Sequence, residues 1–108
     1  MKYKVNILSS AENDLFEIYQ YVFQNDSEEK ADKLFSKLKE KCISLENQPR
    51  REHVPKELAF FGVGDFLEIT QKPYRIIYRI IGKETFIFAV LDGRRDMQKI
   101  LYERLLRG

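Results

Sequence analysis

The sequence predicts an α+β fold of order β-α-α-β-β-β-α: an N-terminal strand, an antiparallel helical hairpin, a three-stranded antiparallel meander and a short C-terminal helix. Three observations carry that expectation. Two stretches in the first half repeat apolar residues at helical spacing; three later stretches are rich in Ile, Tyr and Phe with hairpin-short connections; and the two kinds do not interleave. With 108 residues, 44% hydrophobic and 33% charged, residues 1–108 are expected to form one domain with a modest core.

Tyr3, Val5 and Ile7 alternate with Lys2, Lys4 and Asn6, the period of a half-buried strand. Ser9 followed by Glu12 reads as a capping box, with hydroxyl and carboxylate each satisfying an amide of the first turn. Ala11, Leu15, Ile18, Tyr19 and Val22 then mark a helix, broken by Gln24-Asn25-Asp26-Ser27, where Asp26 and Glu29 suggest a second box. Ala31, Leu34, Phe35, Leu38, Cys42 and Leu45 form the stripe of the next helix, expected to stop near Gln48 because Pro49 lacks a donor. The mixed segment Pro49–Gly64 has room for one helical turn at Pro55–Phe60. Strands follow at Phe66–Thr70, Tyr74–Ile81 and Glu84–Val90, Asp92-Gly93 ends the last, and Met97, Ile100, Leu101 and Leu105 predict a final helix from about Asp96.

Charge and cysteine content narrow the function classes. The net charge of +2 does not point to nucleic acid, but its distribution is uneven. Residues 1–54 carry 9 Lys/Arg against 10 Asp/Glu, whereas from Tyr74 onward 8 basic residues face 4 acidic ones. Such a basic end suits a polyanion or an acidic protein surface. Cys42 is the single cysteine, so no internal disulfide can form; beside Leu38 and Leu45 it reads as a small core residue. The first 14 residues lack the apolar region of a signal peptide, and no apolar run approaches a membrane span. A soluble, cytoplasmic protein without membrane partners is expected.

Enzyme motifs are sparse. His53 is the only histidine and sits in a charged loop, so no ligand set converges on a metal; no phosphate loop, nucleophile elbow or paired-carboxylate motif is present. No cofactor or metal is expected. What remains is a set of arginines, Arg75, Arg79, Arg94 and Arg95, on and after the sheet. Arg75 and Arg79 share a strand face with Ile77, where they either line a polar groove or form salt bridges, for example to Glu68 or Asp92. Tyr74 and Tyr78 fall on the opposite face, and Tyr102 is the tyrosine best placed to stand near Arg95.

Taken together, KPYRIIYRI at Lys72–Ile80, AVLDGRRDMQKIL at Ala89–Leu101 and the helical hairpin after the first strand resemble the RelE/ParE toxin superfamily of type II toxin–antitoxin systems. The resemblance spans the chain in element order, and its motifs are specific in combination. It implies a bacterial toxin that arrests growth, a cognate antitoxin that wraps it, and contact with DNA only through that antitoxin. Two activities follow from the resemblance. RelE-like members cleave mRNA on the ribosome; ParE-like members inhibit DNA gyrase and are not enzymes. In the first, Arg75, Arg95 and Tyr102 would be catalytic; in the second, Arg75, Arg79, Arg94 and Arg95 would bind the target. The lysines of the nuclease pattern fall on Phe66, Glu68 or Thr70, none of them basic, and its tyrosine falls on Leu101, with Tyr102 turned about 100° away on an ideal helix. ParE-like gyrase inhibition is therefore the favoured expectation, with a ribosome-dependent endonuclease, or an inactive relative retained for antitoxin binding, as alternatives.

Overall fold

Alternating and continuous apolar strands need cover on one face or on both, and this chain needs it on both. The computed structural model describes residues 2–47, 49, 53–60, 62 and 64–106. Its sheet contains β1 (Lys4–Ile7), β2 (Phe66–Gln71), β3 (Tyr74–Ile81) and β4 (Glu84–Asp92) in the order β1-β4-β3-β2. β2, β3 and β4 form the expected antiparallel meander. β1 lies parallel to β4, with Lys4 opposite Glu84 and Ile7 opposite Ile87. Gly82, at φ +62°, supplies the left-handed residue of the β3–β4 turn.

Helices α1 (Ser9–Asn25) and α2 (Glu28–Ile43) form the hairpin that covers one sheet face. Leu15, Leu38, Cys42, Ile76, Tyr78, Ile87 and Val90 are all buried in that layer, and Leu34 and Phe35 pack at its margin. The Tyr78 hydroxyl donates to the Pro49 carbonyl at 2.6 Å, so its polar tip is satisfied inside the core. Burial pushes the Cys42 thiol up to about 11, which keeps it protonated and unreactive. The other face is covered by two short helices, α3 (Lys56–Phe60) and α4 (Met97–Leu101), around Leu58, Phe66, Ile77, Ala89, Leu91, Met97 and Leu101.

A bulge separates two halves of β4. Ile77 pairs with Ala89 but Tyr78 pairs with Ile87, leaving Phe88 as the extra residue. Its consequence is a change of parity: Phe88 and Ala89 both serve the face under α3 and α4, and the outward backbone groups of β4 shift from one alternate set to the other.

Several local expectations are corrected. Leu8, not Ser9, precedes the first helical residue, no side chain caps α1, and the Ser10 hydroxyl instead donates to the Phe88 carbonyl at 2.9 Å. At α2 the cap is Ser27, whose Oγ accepts from the Lys30 amide; Asp26 closes α1 and pairs with the Lys30 ammonium at 3.2 Å. The α-helix ends at Ile43 and continues as a 3-10 turn over Ser44–Glu46, where the Ser44 hydroxyl takes the Lys41 carbonyl; Gln48 lies outside the described residues. After α4 the chain widens into a π turn, Tyr102–Leu106. No helix among the described residues is long and apolar enough to cross a membrane.

Candidate functional site

Arg75 projects from β3 toward α3, and it meets carboxylates there. Its Nη1 and Nη2 donate to the two oxygens of Glu57 at 2.8 and 2.6 Å, a bidentate fork, while Nε donates to Glu68 Oε1 at 2.7 Å. The second Glu68 oxygen lies 3.0 Å from His53 Nε2, and the Glu68 amide donates to the His53 carbonyl. Side-chain exposures of 13% for Arg75, 11% for Glu57 and 9% for Glu68 make this a largely desolvated cluster. The hydrogen bond from Arg75 holds the Glu57 carboxyl below the usual carboxylate range, and Glu57 in turn raises the Arg75 guanidinium, with Glu68 adding to it.

Gly93 explains itself beside this cluster. A Cβ there would stand 2.8 Å from Arg75 Cδ and 3.0 Å from the Pro73 carbonyl, to which the Gly93 amide donates at 2.8 Å. The glycine of the DGRRD segment therefore lets the arginine stem cross the end of β4.

The remaining arginines differ in freedom. Arg79 shares the face of Arg75, as expected, and spans Phe66 and Asp65: its guanidinium lies 6.0 Å from the Phe66 ring centroid and 3.9 Å from the Asp65 carboxylate. Arg94 folds back on Asp92 through Nε and Nη2 at 2.9 and 2.6 Å, which lowers the Asp92 carboxyl below its usual range. Arg95 is exposed, and no ion pair holds it among the described residues. Arg75 and Arg95 line one groove with Lys56, Glu57, Phe60 and Gln98. Tyr102 borders a neighbouring depression with Asp96, Gln98 and Lys99, of which Asp96 and Gln98 also line the groove of Arg75 and Arg95. The tyrosines that share a groove with Arg95 are Tyr21 and Tyr74.

Two partners escaped sequence reasoning. Glu57 lies 18 residues from Arg75, in a segment with no repeating pattern. Asp14 on α1 binds Arg104, 90 residues away, through two contacts of 3.1 Å. No periodicity reports such pairings; of the two carboxylates the sequence offers to Arg75 and Arg79, Glu68 pairs with Arg75, whereas Asp92 pairs with Arg94. Among the described residues no group of three or more His, Cys, Asp or Glu is placed to hold a metal ion.

A phosphate seated at Arg75 would meet the two carboxylates that already engage the guanidinium. What stays accessible is a basic rim, with Lys72 and Arg94 on one side of the cluster and Lys56 and Arg95 on the other.

A four-stranded sheet beside a helical hairpin, with a basic turn after its last strand, is the architecture expected from the resemblance to small toxins of the RelE and ParE kind. The family model for the ParE toxin of type II toxin–antitoxin systems, parDE, matches residues 5–97, and the chain belongs to that family. Solved structures agree on the fold. A chain of the chromosomal ParDE toxin–antitoxin system from P. aeruginosa is 21% identical, with a TM-score of 0.70, covering 82% of this chain and 94% of that one. The RelBE2 toxin–antitoxin complex from Mycobacterium tuberculosis gives 18% identity and a TM-score of 0.62 over 85% and 92% of the two chains. A mutant E. coli toxin RelE in the free state gives 18% and 0.65 over 99% and 98%. No curated protein sequence matches the chain significantly.

Proposed function

We propose that this toxin arrests bacterial growth in the cytoplasm by binding DNA gyrase, and that it is not a nuclease. The observation that supports this reading is the state of Arg75. Ribosome-dependent cleavage by a site of this kind needs cations free to neutralise a developing phosphorane, yet Glu57 and Glu68 engage each of the three nitrogens of this guanidinium and so three of its five N–H donors. Tyr102 borders the adjoining depression, and the groove lined by both Arg75 and Arg95 is the one that Glu57 also lines.

Protein binding makes lighter demands. Arg94 and Arg95 present guanidinia at the surface near exposed Tyr21, and Arg95 also lines a groove with exposed Phe60, a mixture common at protein interfaces. In this reading Arg75 supports the surface from below instead of touching the target. The cognate antitoxin is the second partner, and DNA is reached only through it.

Purified toxin in two assays tests the proposal. DNA supercoiling by gyrase is expected to fall at near-stoichiometric toxin, and primer extension on translated mRNA is expected to show no new ends. Discrete cuts in ribosome-bound mRNA that vanish with Arg75→Ala would replace this reading with an endoribonuclease. Neither effect, from soluble folded toxin, would point to a relative retained for antitoxin binding.

A further inference from the structure

Four aromatic rings lie together on the outer flank of the helical hairpin. Phe16, Tyr19 and Phe23 fall within about 60° of one another on α1, and Phe35 meets them from α2. Tyr19 lies tilted against Phe23 with ring centroids 6.0 Å apart and meets Phe35 edge-on at 5.9 Å. Phe16 and Phe35 line one depression, bordered by Glu12 and Lys39. Two of these rings belong to no core: Phe16 is 58% exposed and Phe23 47%. A continuous aromatic ridge in water is the kind of surface that a protein partner covers.

Charge and spacing select the partner. Along α2 this flank carries Glu28 at one end, then Asp32, which accepts from the Tyr19 hydroxyl at 2.7 Å, then Phe35, and Lys39 towards the other end. Neither Glu28 nor Lys39 has an ion pair among the described residues; the Lys39 ammonium rests 5.9 Å from the Phe35 ring centroid. A ridge acidic at one end and basic at the other fits a surface of the reverse layout, and the same ridge turned end for end has that layout. The positions agree with the signs. At 1.5 Å per residue, Phe16 and Phe23 lie about 5 Å to either side of the middle of the α1 stripe, and Glu28 and Lys39 about 8 Å to either side of the middle of the α2 stripe. Tyr19 touches both Asp32 and Phe35, so the two middles lie at one level. A two-fold axis through Tyr19 therefore exchanges Phe16 with Phe23 and Glu28 with Lys39.

We propose that two copies of this chain associate through their hairpins about that axis. Phe16 of each copy packs on Phe23 of the other, Tyr19 and Phe35 fill the centre, and Lys39 of each meets Glu28 of the other. Such a contact uses the same patch twice and closes at two copies. It leaves the arginines free. Arg75 projects toward α3 on the opposite side of the sheet, and the groove beside Arg94 and Arg95 takes Asp14, Glu17 and Tyr21 from the other flank of α1. The dimer presents two identical basic rims, whichever target those rims meet.

Sedimentation velocity of the full-length toxin provides the test. From about 1 to 300 µM, where interfaces of small area assemble, the chain is expected to shift toward twice its monomer mass. Phe16→Glu should keep the wild-type circular dichroism spectrum and weaken association by about tenfold or more. Lys39→Glu and Glu28→Lys should each weaken it as well, because each sets like charges against one another. An equimolar mixture of these two variants should associate again, since one copy then carries both acids and the other both lysines; damaged folding could not produce that recovery. A monomer throughout the range, association that Phe16→Glu leaves unchanged, or a mixture no stronger than either variant alone would overturn the proposal. A monomer whose complex with the protein of the small neighbouring gene is weakened by Phe16→Glu would also overturn it, and would assign the ridge to that partner.

Discussion

The two faces of the sheet are stabilised by different physics. Under the hairpin, Leu15, Leu38, Cys42, Ile76, Tyr78 and Ile87 form an apolar layer in which the Tyr78 hydroxyl donates to the Pro49 carbonyl, while the buried Thr85 hydroxyl has no partner among the described residues. Under α3 and α4 the apolar patch is bordered by the Arg75–Glu57–Glu68 cluster, where desolvated charges must be matched atom by atom. Burial of apolar area is non-directional, so it tolerates small errors of placement. An ion cluster does not: removing one member leaves the others buried and unpaired. The same strand, β3, serves both faces, Ile76 and Tyr78 turned one way and Arg75, Ile77 and Arg79 the other.

The largest effect is therefore expected on the charged face. Arg75→Ala strands two carboxylates and should cost about 3–5 kcal/mol in urea denaturation. Arg75→Lys should recover only part, since an ammonium cannot reproduce the fork to Glu57 and the separate bond to Glu68. A loss below about 1 kcal/mol would show that water already screens the cluster and that the contrast between the faces is illusory. The acid limb gives a second measure. Because Glu57 is lowered in the folded state, its contribution is present above the carboxylate's unfolded value near about 4.3 and is lost as pH falls through the folded one. Glu57→Gln should thus lower stability at neutral pH and flatten its fall below about pH 5, as followed by thermal melts across pH.

On the apolar face, Leu38→Ala should cost about 2–5 kcal/mol, because Leu38 is fully buried between α2 and the sheet. Lys37→Ala, on the solvent side of the same helix, should stay within about 0.5 kcal/mol. Equal small losses would mean that the hairpin contributes less than its packing suggests.

How much the sequence disclosed follows the same division. The strand β3 runs over Tyr74–Ile81 as its isoleucine and tyrosine content and short connections predict, and the stripe Ala31, Leu38, Cys42 lies buried as its spacing predicts. Periodicity reports which way a residue faces, and that suffices wherever the neighbour need only be apolar. It does not report which distant segment returns to that face. Glu57 reaches Arg75 because α3 folds over the sheet, and Arg104 reaches Asp14 because the π turn after α4 redirects the chain. Likewise Ser9 and Glu12 have the letters of a capping box, but the Ser10 hydroxyl binds β4 and the tertiary contact prevails.

Gly93→Ala ranks next and sharpens the link between motif and cluster. A methyl group there would stand 2.8 Å from Arg75 Cδ and 3.0 Å from the Pro73 carbonyl, so the strand end must shift or the guanidinium must leave Glu57. A loss of about 1–3 kcal/mol is expected. In a double-mutant cycle the loss should shrink in an Arg75→Ala background, since one of the two obstacles is then gone. Strict additivity would sever the glycine from the cluster.

Arg95→Ala should have the smallest effect on stability and the clearest effect on function. Its guanidinium has no ion pair among the described residues, and its amide bond to the Asp92 carbonyl survives the substitution, so the melting curve should move by less than about 0.5 kcal/mol. If the exposed arginines carry target contact, the same change should weaken gyrase inhibition by about tenfold, mostly through faster dissociation. Arg94→Ala should do less, because Arg94 is already committed to Asp92 and must give up those bonds before it can serve a partner. The two variants, titrated side by side in a supercoiling assay, separate charge that is available from charge that is merely exposed. A larger loss from Arg94 than from Arg95 would show that the Asp92 pair is itself the contact surface, presented to the target as a unit.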